Sequence, residues 1–523
     1  MKKKIILSTL AATFLASSLN ASALSNRVYK LEKIIITQQK AIKTLKKQQA
    51  KTQKLEKELR SLKAEHKKTL ELLAGMKKDN SSSNTADIEA DIEDIDERLE
   101  IVETRSFTDK IKLGLGMRVE MNNYTNTYAD DSDYTANDIW RTKLNINMKS
   151  KIADNLKFTG RLSMYKNWGD STARNTNYDS MQGRKPDDST VYVERAYLDW
   201  TINPGSSVPF ILTLGRQPSS DGPSYQIKED MSRKGTYDAL AADGAADGIV
   251  MTTNLNSIIT GTSFRIAYGT PNVLDNEAYS AQQMDYNGKD SSTFESTKVT
   301  GYFLEKTCPS LSFGSLLQIY YMDANYLDAN PQLLDPTNNY QSIDKNVGDM
   351  DLVGAMVEFT KIGGSFDIFA HYSHNTMKPN GQTVDLSSIG GSATTGLLTS
   401  TSGDTEEKTG NAYWLGTRYA VTKDWKIGAE YNKGSKNWFS FTSGANDPLN
   451  KLATRGSAVE IYVSKAVNKN ANIRVGYVDI NYDYTGSGSH LGTPMEIDTL
   501  PDAYKSQIIE ETSNLYITFN VLF

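Results

Sequence analysis

The chain has 523 residues, a formal net charge of -5 and a hydrophobic content of only 38%. Its single cysteine excludes an internal disulfide framework, and its slightly acidic balance argues against nucleic acid as a partner. No apolar run of about 20 residues follows the N-terminal segment, which excludes a helical membrane protein. With no cysteine and histidine cluster at zinc spacing, no metal or cofactor is predicted. A chain of this kind, with 28 tyrosines, can still cross a membrane as a closed β-barrel.

The first 23 residues have the plan of a secretory signal peptide. Lys2, Lys3 and Lys4 precede a short apolar stretch over residues 5–15. Small residues, with Ala23 as the last, then stand at the spacing of a cleavage site. We therefore predict export, with a mature chain that begins after residue 23.

Residues 24–78 predict a basic coiled coil, because apolar residues recur there at alternating spacings of three and four. Residues 79–105 predict a Ser/Asn-rich linker and a short acidic heptad segment. The basic face is either a solvated helix surface or a face attracted to an anionic polymer or membrane. The two oppositely charged segments could fold back on each other or pair between chains.

Residues 106–523 change to a period of two, in which apolar and polar residues alternate. Segments of about ten such residues are typical of transmembrane strands that face lipid on one side and an aqueous lumen on the other. A soluble β-sandwich shows the same alternation. The predicted strands lie near 111–121, 140–152, 156–168, 191–202, 210–215, 248–255, 263–269, 298–305, 316–322, 351–360, 366–373, 413–421, 425–432, 457–465, 473–484 and 514–523.

The connections between these strands alternate between short and long, which favours a barrel over a sandwich. The short ones include 153–155, 203–208, 361–364, 422–424 and 468–470; the long ones are 123–139, 169–190, 217–247, 270–297, 323–350, 374–411, 433–456 and 485–513. Short periplasmic turns and long outer loops would produce this rhythm. The fold class predicted here is thus an all-β antiparallel transmembrane barrel of sixteen strands, preceded by a periplasmic coiled coil. Cys308 falls in a short turn and is predicted to be a free thiol.

The last predicted strand ends on Phe523 and has apolar residues at every second position before it. This resembles the C-terminal signature by which the barrel-assembly machinery recognises outer-membrane proteins. Residues 194–200, ERAYLDW, with the following 214–218, resemble a strand pair of many Gram-negative porins. The whole plan is similar to a proteobacterial family of outer-membrane proteins defined by a domain of unknown function. This resemblance implies the fold and the cell outer membrane, with outer-membrane lipid as a partner.

The polar faces of the first four strands are rich in cations, which predicts one basic wall inside the barrel. The predicted pore-lining residues are Arg118, Arg141, Lys143, Lys149, Arg161 and Arg195. Such a wall favours anions, although these charges could instead only solvate the lumen or pair with acidic loops. The loop at 217–247 is predicted to fold inward and narrow the pore, with exposure on the surface as the alternative.

The predicted function is a porin-like channel for passive diffusion of small hydrophilic solutes, with an anion preference. The alternative is a structural outer-membrane anchor, whose coiled coil tethers peptidoglycan or drives homo-oligomerisation. The only histidines are His66, His371, His374 and His490, and no Ser motif accompanies them. We therefore predict no catalytic set and no enzyme, and an enzyme on a barrel remains the third hypothesis.

Overall fold

The structure, a computed structural model, describes most of the C-terminal four-fifths of the chain. The described residues are 111–168, 191–218, 222–231, 233, 235–243, 245–270, 297–308, 311, 314–328, 346–385, 394–442 and 447–523. The predicted signal peptide, coiled coil and acidic heptad segment lie outside them. None of the described helices is long and apolar enough to cross a bilayer.

Eighteen strands are formed by the described residues, and sixteen of them close into a barrel. The barrel strands are β1 Ile111–Tyr128, β2 Asp133–Ala153, β3 Leu156–Asn167, β4 Val191–Thr201, β5 Phe210–Pro218, β6 Ala245–Asn254, β7 Thr262–Thr270, β8 Lys298–Thr307, β9 Gly314–Asp328, β10 Asn346–Ile362, β11 Phe366–Pro379, β14 Lys408–Ala420, β15 Trp425–Gly434, β16 Gly456–Asn468, β17 Ala471–Tyr482 and β18 Ile509–Leu522. The short strands β12 Val384–Asp385 and β13 Thr394–Thr395 pair outside the barrel. The helices are α1 Tyr225–Glu229, α2 Asp502–Lys505 and two single 3-10 turns, Lys451–Ala453 and Ile497–Thr499.

Each barrel strand lies beside the strand before it, and the first strand closes the ring against the last. β1 and β18 pair antiparallel over a long register that includes Met121 opposite Ile517. Closure leaves the barrel without an open sheet edge, because each of its sixteen strands has a neighbour on both sides. The predicted antiparallel barrel of sixteen strands is therefore confirmed.

The barrel is inside-out compared with a soluble protein, as β16 illustrates. Val459, Ile461 and Val463 are 45%, 44% and 38% exposed on its outer face. Glu460 and Tyr462, which alternate with them, are only 2% and 3% exposed and face inward. A period of two places successive side chains on opposite faces, so the alternation in the sequence sorts apolar residues outward and polar ones inward.

Several large inward rings fit only because a glycine lies beside them in the neighbouring strand. A Cβ placed on Gly416 of β14 would stand 2.1 Å from Cζ of Phe369 in β11. The same distance separates a Cβ on Gly428 from Cζ of Tyr462. The glycines thus make room for rings that fill the interior.

Gly416→Val is expected to destabilise the barrel by about 1–3 kcal/mol, because the added side chain overpacks the interior. Phe369 would have to leave its edge-on contact with Trp414, whose ring centroid lies 4.6 Å away. Thermal unfolding in detergent, followed by circular dichroism, measures the change. Gly205→Val is the control, since Gly205 has no atom within 4 Å of its Cβ position. Equal unfolding temperatures for the two variants would contradict the expectation.

The predicted long loop at 123–139 is wrong. β1 continues to Tyr128 and β2 begins at Asp133, so a tight turn at 129–132 joins them. The Asp and Asn residues of this segment suggested a loop, but β18 extends back to Ile509 and provides a partner for it. Strand pairing supplied by a distant part of the chain outweighs the weak local preference. The other connections lie between the same strands as predicted, but β9, β10, β11 and β14 extend several residues into the predicted loops at 323–350 and 374–411.

The loops at the end of the barrel that carries the long connections are joined by one buried cation, Arg455. Its guanidinium donates to the carbonyl oxygens of Trp438 (3.0 Å), Thr485 (3.1 Å), Gly486 (2.8 Å) and Ser489 (2.5 Å). Burial lowers the pKa of Arg455 to about 10, so it still carries its charge at neutral pH. These bonds draw two loops together over the barrel.

Candidate functional site

The described residues of the segment at 222–243, which follows β5, lie inside the barrel; we call this segment the inward loop. It contains the short helix α1, Tyr225–Glu229. Hydrogen bonds and ion pairs connect it to the inner faces of at least nine barrel strands, β1, β8–β11 and β14–β17. The structure therefore shows that this connection folds inward, as predicted.

One end of α1 is held by ion pairs with arginines from two strands. Glu229 accepts from Arg118 of β1 at 3.1 Å and from Arg474 of β17 at 2.8 Å. Burial alone would raise the pKa of Glu229, but the two guanidinium groups outweigh it and hold that pKa well below its ordinary value. The neighbouring Lys228 donates to Glu460 of β16 at 3.0 Å. The helix is thus joined to β1, β16 and β17 through charges of both signs.

Two more ion-pair groups fix the rest of the inward loop. Asp230 contacts Arg418 at 3.0 Å and also pairs with Lys426. Arg233 donates to both carboxylate oxygens of Glu305 at 3.0 Å each. Such paired geometry between a guanidinium and a carboxylate fixes orientation as well as adding energy.

The inner wall on the side of β8–β14 carries large apolar side chains beside its polar ones. Tyr225 and Leu240 of the inward loop belong to a buried cluster with Phe303, Phe369 and Trp414 of the wall. Trp414 is 0% exposed. Burial of large apolar side chains provides about 1.5–3 kcal/mol each, so this contact holds the loop against one side of the barrel. The sequence carried a hint of it, because β9–β11 have apolar residues on both faces.

The opposite wall, formed by β1–β4, is basic. Arg161 donates to Glu194 at 2.7 Å, and Lys143 and Arg195 each contact the same carboxylate at 3.3 Å. Arg118 and Arg141 likewise share Glu120. Among the described side chains, five cations therefore surround two carboxylates at this wall.

The six predicted pore-lining residues all lie on inward faces, but they differ in surroundings. Five of them form the basic wall just described: Arg118, Arg141, Lys143, Arg161 and Arg195. Lys149 shares their face of β2 but lies further toward the short-turn end and is exposed. Arg118 also reaches across to the inward loop.

A β-bulge in β4 places two successive charges inside the barrel. The register between β3 and β4 shifts after Arg161, which faces Arg195, so that Glu194 has no direct partner opposite. A bulge of this kind turns both residues to one face. Simple alternation puts Glu194 outside, and the sequence reading therefore missed the carboxylate that organises the wall.

A polar cleft lies between α1 and the wall of β1 and β16–β18. Charged groups from both sides line it, including Arg118, Glu229 and Arg474. Tyr225 and Tyr516 add aromatic rings to the lining. The interior next to the helix is thus polar and partly open.

His371 of β11 lies in a buried polar cluster that the sequence reading did not find. Its Nε2 is 3.0 Å from Oγ of Ser224, and its Nδ1 is 2.6 Å from Oδ1 of Asp238. Both partners belong to the inward loop, more than 130 positions earlier in the chain. No local motif could have indicated them. In the parts of the chain that the structure describes, no group of His, Cys, Asp and Glu could hold a metal ion.

Solved structures of bacterial outer-membrane proteins resemble the chain at low identity. Salmonella typhi OmpF, in complex with daunomycin, is 13% identical to this chain, with a TM-score of 0.42. The match covers 80% of this chain and 99% of the OmpF chain. In-vitro folded OmpT, an outer membrane protein of Vibrio cholerae, is 12% identical, with a TM-score of 0.39. That match covers 79% of this chain and 97% of the OmpT chain. At these values the similarities carry no functional conclusion.

No curated protein matches the chain. A family model does match, over residues 133–523, from the start of β2 to the C-terminus. The match spans about three-quarters of the sequence and fifteen of the sixteen barrel strands. The chain belongs to the family described as Protein of unknown function (DUF3373).

Proposed function

We propose that this protein is an outer-membrane channel through which small hydrophilic solutes diffuse passively, with a preference for anions. The observation that carries the proposal is the inside-out polarity of a closed barrel whose interior is narrowed by a charged loop. We expect the solutes to be small, because the inward loop occupies part of the interior and narrows the path.

The outer face supports a membrane location. Leu304, Ile319 and Val475 are 39%, 48% and 43% exposed there, as are many other large apolar side chains around the barrel. Exposed apolar surface of this extent favours an apolar surrounding over water. A Lys or Arg on such a face would cost about 2–4 kcal/mol at the bilayer midplane, which explains why the charges lie inside.

The basic wall supports the anion preference. Its five cations and two carboxylates give an excess of positive charge among the described side chains, within a low-dielectric barrel that focuses the field. Cationic side chains that line a pore favour anions. The proposed path runs between this wall and the inward loop.

Reversal-potential measurements in planar bilayers test both parts of the proposal. Wild-type protein is expected to give stable open steps and an anion-selective reversal potential under a salt gradient. Arg141→Gln with Arg161→Gln should move that potential toward cations, because two positive charges leave the wall. Lys151→Gln is the matched control, since Lys151 lies near the short-turn end of β2 with its side chain 62% exposed.

Silence of the correctly folded wild type would overturn the channel itself. Open steps with an unchanged reversal potential in the double variant would leave a channel but remove the selectivity role of these residues.

A further inference from the structure

The carboxylate of Glu194 lies where three cations of the basic wall meet. Arg161 Nη1 donates to its Oε1 at 2.7 Å, and Arg195 Nε donates to the same oxygen at 3.3 Å. Lys143 Nζ lies 3.3 Å from its Oε2, to which the Ser163 hydroxyl donates at 2.6 Å. Both oxygens are therefore held by donors from β2, β3 and β4, as those of a bound oxyanion would be.

The bulge in β4 is what puts this carboxylate inside the barrel. Simple alternation would turn Glu194 to the outer face, where a charge is costly. Bulges often re-aim a side chain beside a functional site. Across the pair of strands, Arg161 stands directly opposite Arg195, and like charges in that position destabilise a sheet. The bulge thus supplies an anion at the point where two arginines face each other.

Two of the cations around Glu194 have other contacts that keep them in place. Arg161 Nε also donates to Asn147 Oδ1 at 2.8 Å. Lys143 Nζ lies 5.1 Å from the centre of the Tyr165 ring, within the range of a cation–π contact. Because these contacts do not involve Glu194, both cations keep their directions without it. They form a preorganised site for an oxyanion, and Glu194 occupies that site.

The site is open to the interior through a narrow gap. The Glu194 side chain is 11% exposed, and those of Lys143 and Arg161 are 10% and 7% exposed. An anion that approaches the wall there meets a carboxylate that already holds the donors it would bind. Conduction requires binding that is strong enough for an ion to enter and weak enough for it to leave. Cations that are shared with Glu194 bind an arriving anion more weakly than cations without a carboxylate.

We propose that Glu194 sets how strongly the basic wall binds anions, because it occupies an oxyanion site that a solute would otherwise fill. The solute class is a small carboxylate or another oxyanion, since its oxygens match the guanidinium groups of Arg161 and Arg195. Glu194 is thus a specificity-determining residue, which makes each arriving anion compete and keeps its stay short. For its effect on permeation this inference rests on the proposed channel, whereas the presence of the site does not.

Glu194→Ala tests the site without any need for conduction. The substitution removes the carboxylate and leaves space for a formate ion beside the same donors. Thermal unfolding of the detergent-folded protein is followed by circular dichroism while formate replaces chloride at constant ionic strength. A ligand that binds only the folded state raises the unfolding temperature. We expect a rise of about 1–3 °C for Glu194→Ala and none for the wild type, whose site is filled.

Asp199→Ala is the matched control for the formate experiment. Asp199 also lies on the inner face of β4, where it accepts from the Thr213 hydroxyl at 2.7 Å. Formate should leave the unfolding temperature of this variant unchanged, since no group of three cations surrounds Asp199 among the described side chains. A Glu194→Ala protein that formate does not stabilise, or a wild type and an Asp199→Ala protein that respond equally to it, overturns the proposal.

Glu194→Gln tests the effect on permeation, because glutamine keeps the shape of the side chain and removes its charge. Single-channel conductance in planar bilayers is recorded against rising formate concentration. The half-saturating concentration should fall about tenfold, since formate no longer competes with a carboxylate. Asp199→Asn should leave it unchanged. A purely structural role of Glu194 would alter the unfolding temperature without this fall, and that result would overturn its role in permeation.

The two experiments separate this inference from the channel proposal. A silent wild type, together with formate stabilisation of Glu194→Ala, removes the channel and keeps the oxyanion site. Open steps that saturate alike in wild type and Glu194→Gln, with no formate effect on Glu194→Ala, keep the channel and remove the site.

Discussion

Replacing residues 222–243 by a short Gly-Ser linker is expected to increase the single-channel conductance severalfold. The replaced segment crosses the interior and contacts at least nine of the strands. A sixteen-stranded barrel without an inner segment encloses an aqueous channel. The wall should survive, because its backbone hydrogen bonds run between strands and do not involve the loop. Conductance in planar bilayers at fixed salt is the measurement.

A matched control replaces α2, Asp502–Lys505, with glycine and serine, since this helix has no buried residue. That variant should conduct like the wild type. If the folded loop variant also conducts like the wild type, the inward loop does not narrow the conducting path.

Glu229→Gln is expected to loosen the inward loop by about 3–5 kcal/mol at neutral pH, because it leaves the buried Arg474 without its carboxylate and removes one of the two carboxylates that Arg118 contacts. Glu229 is 4% exposed, and Arg118 and Arg474 both contact it. Loop exchange with deuterium and thermal unfolding in detergent are the measurements. Asp154→Asn is the control, since it breaks an ion pair whose carboxylate is 99% exposed, and no change is expected there.

The effect of Glu229 should also depend on pH in a defined direction. Its pKa is lowered in the folded protein, so the ion pairs stabilise fully above the unfolded value of about 4.3 and weaken as the pH falls toward the lower folded value. Wild type and Glu229→Gln should therefore converge in loop stability below about pH 4. A constant difference across that range would contradict this role for the carboxylate.

The interior combines two kinds of wall, and this division shapes the proposed path. Phe303, Phe369 and Trp414 hold the loop through apolar contact on one side. Arg141 and Arg161 belong to the basic wall on the other. An anion that passes through would therefore meet positive charge from the wall and mixed charge from the loop.

The sequence predicts the strands of this protein better than it predicts the candidate site. The strand count follows from the alternation of apolar and polar residues, which is a local property. For example, Val459 and Glu460 can be assigned to opposite faces of their strand without knowledge of any other strand. Five of the six predicted cations belong to one wall for the same reason. The bulge at Glu194 breaks the alternation, and its place depends on the neighbouring strand.

The amino-acid sequence by itself determined a sixteen-stranded antiparallel barrel with an apolar outer face, since both depend on a period of two that each strand carries alone. Only the tertiary structure decided that β1 and β2 extend into a hairpin, that one inner wall carries large aromatic side chains, and that Glu229 pairs with Arg118 and Arg474. It also decided that His371 meets Ser224 and Asp238. The physical reason is that ion pairs and buried hydrogen bonds join residues more than a hundred positions apart, and closure of the ring chooses which of them meet.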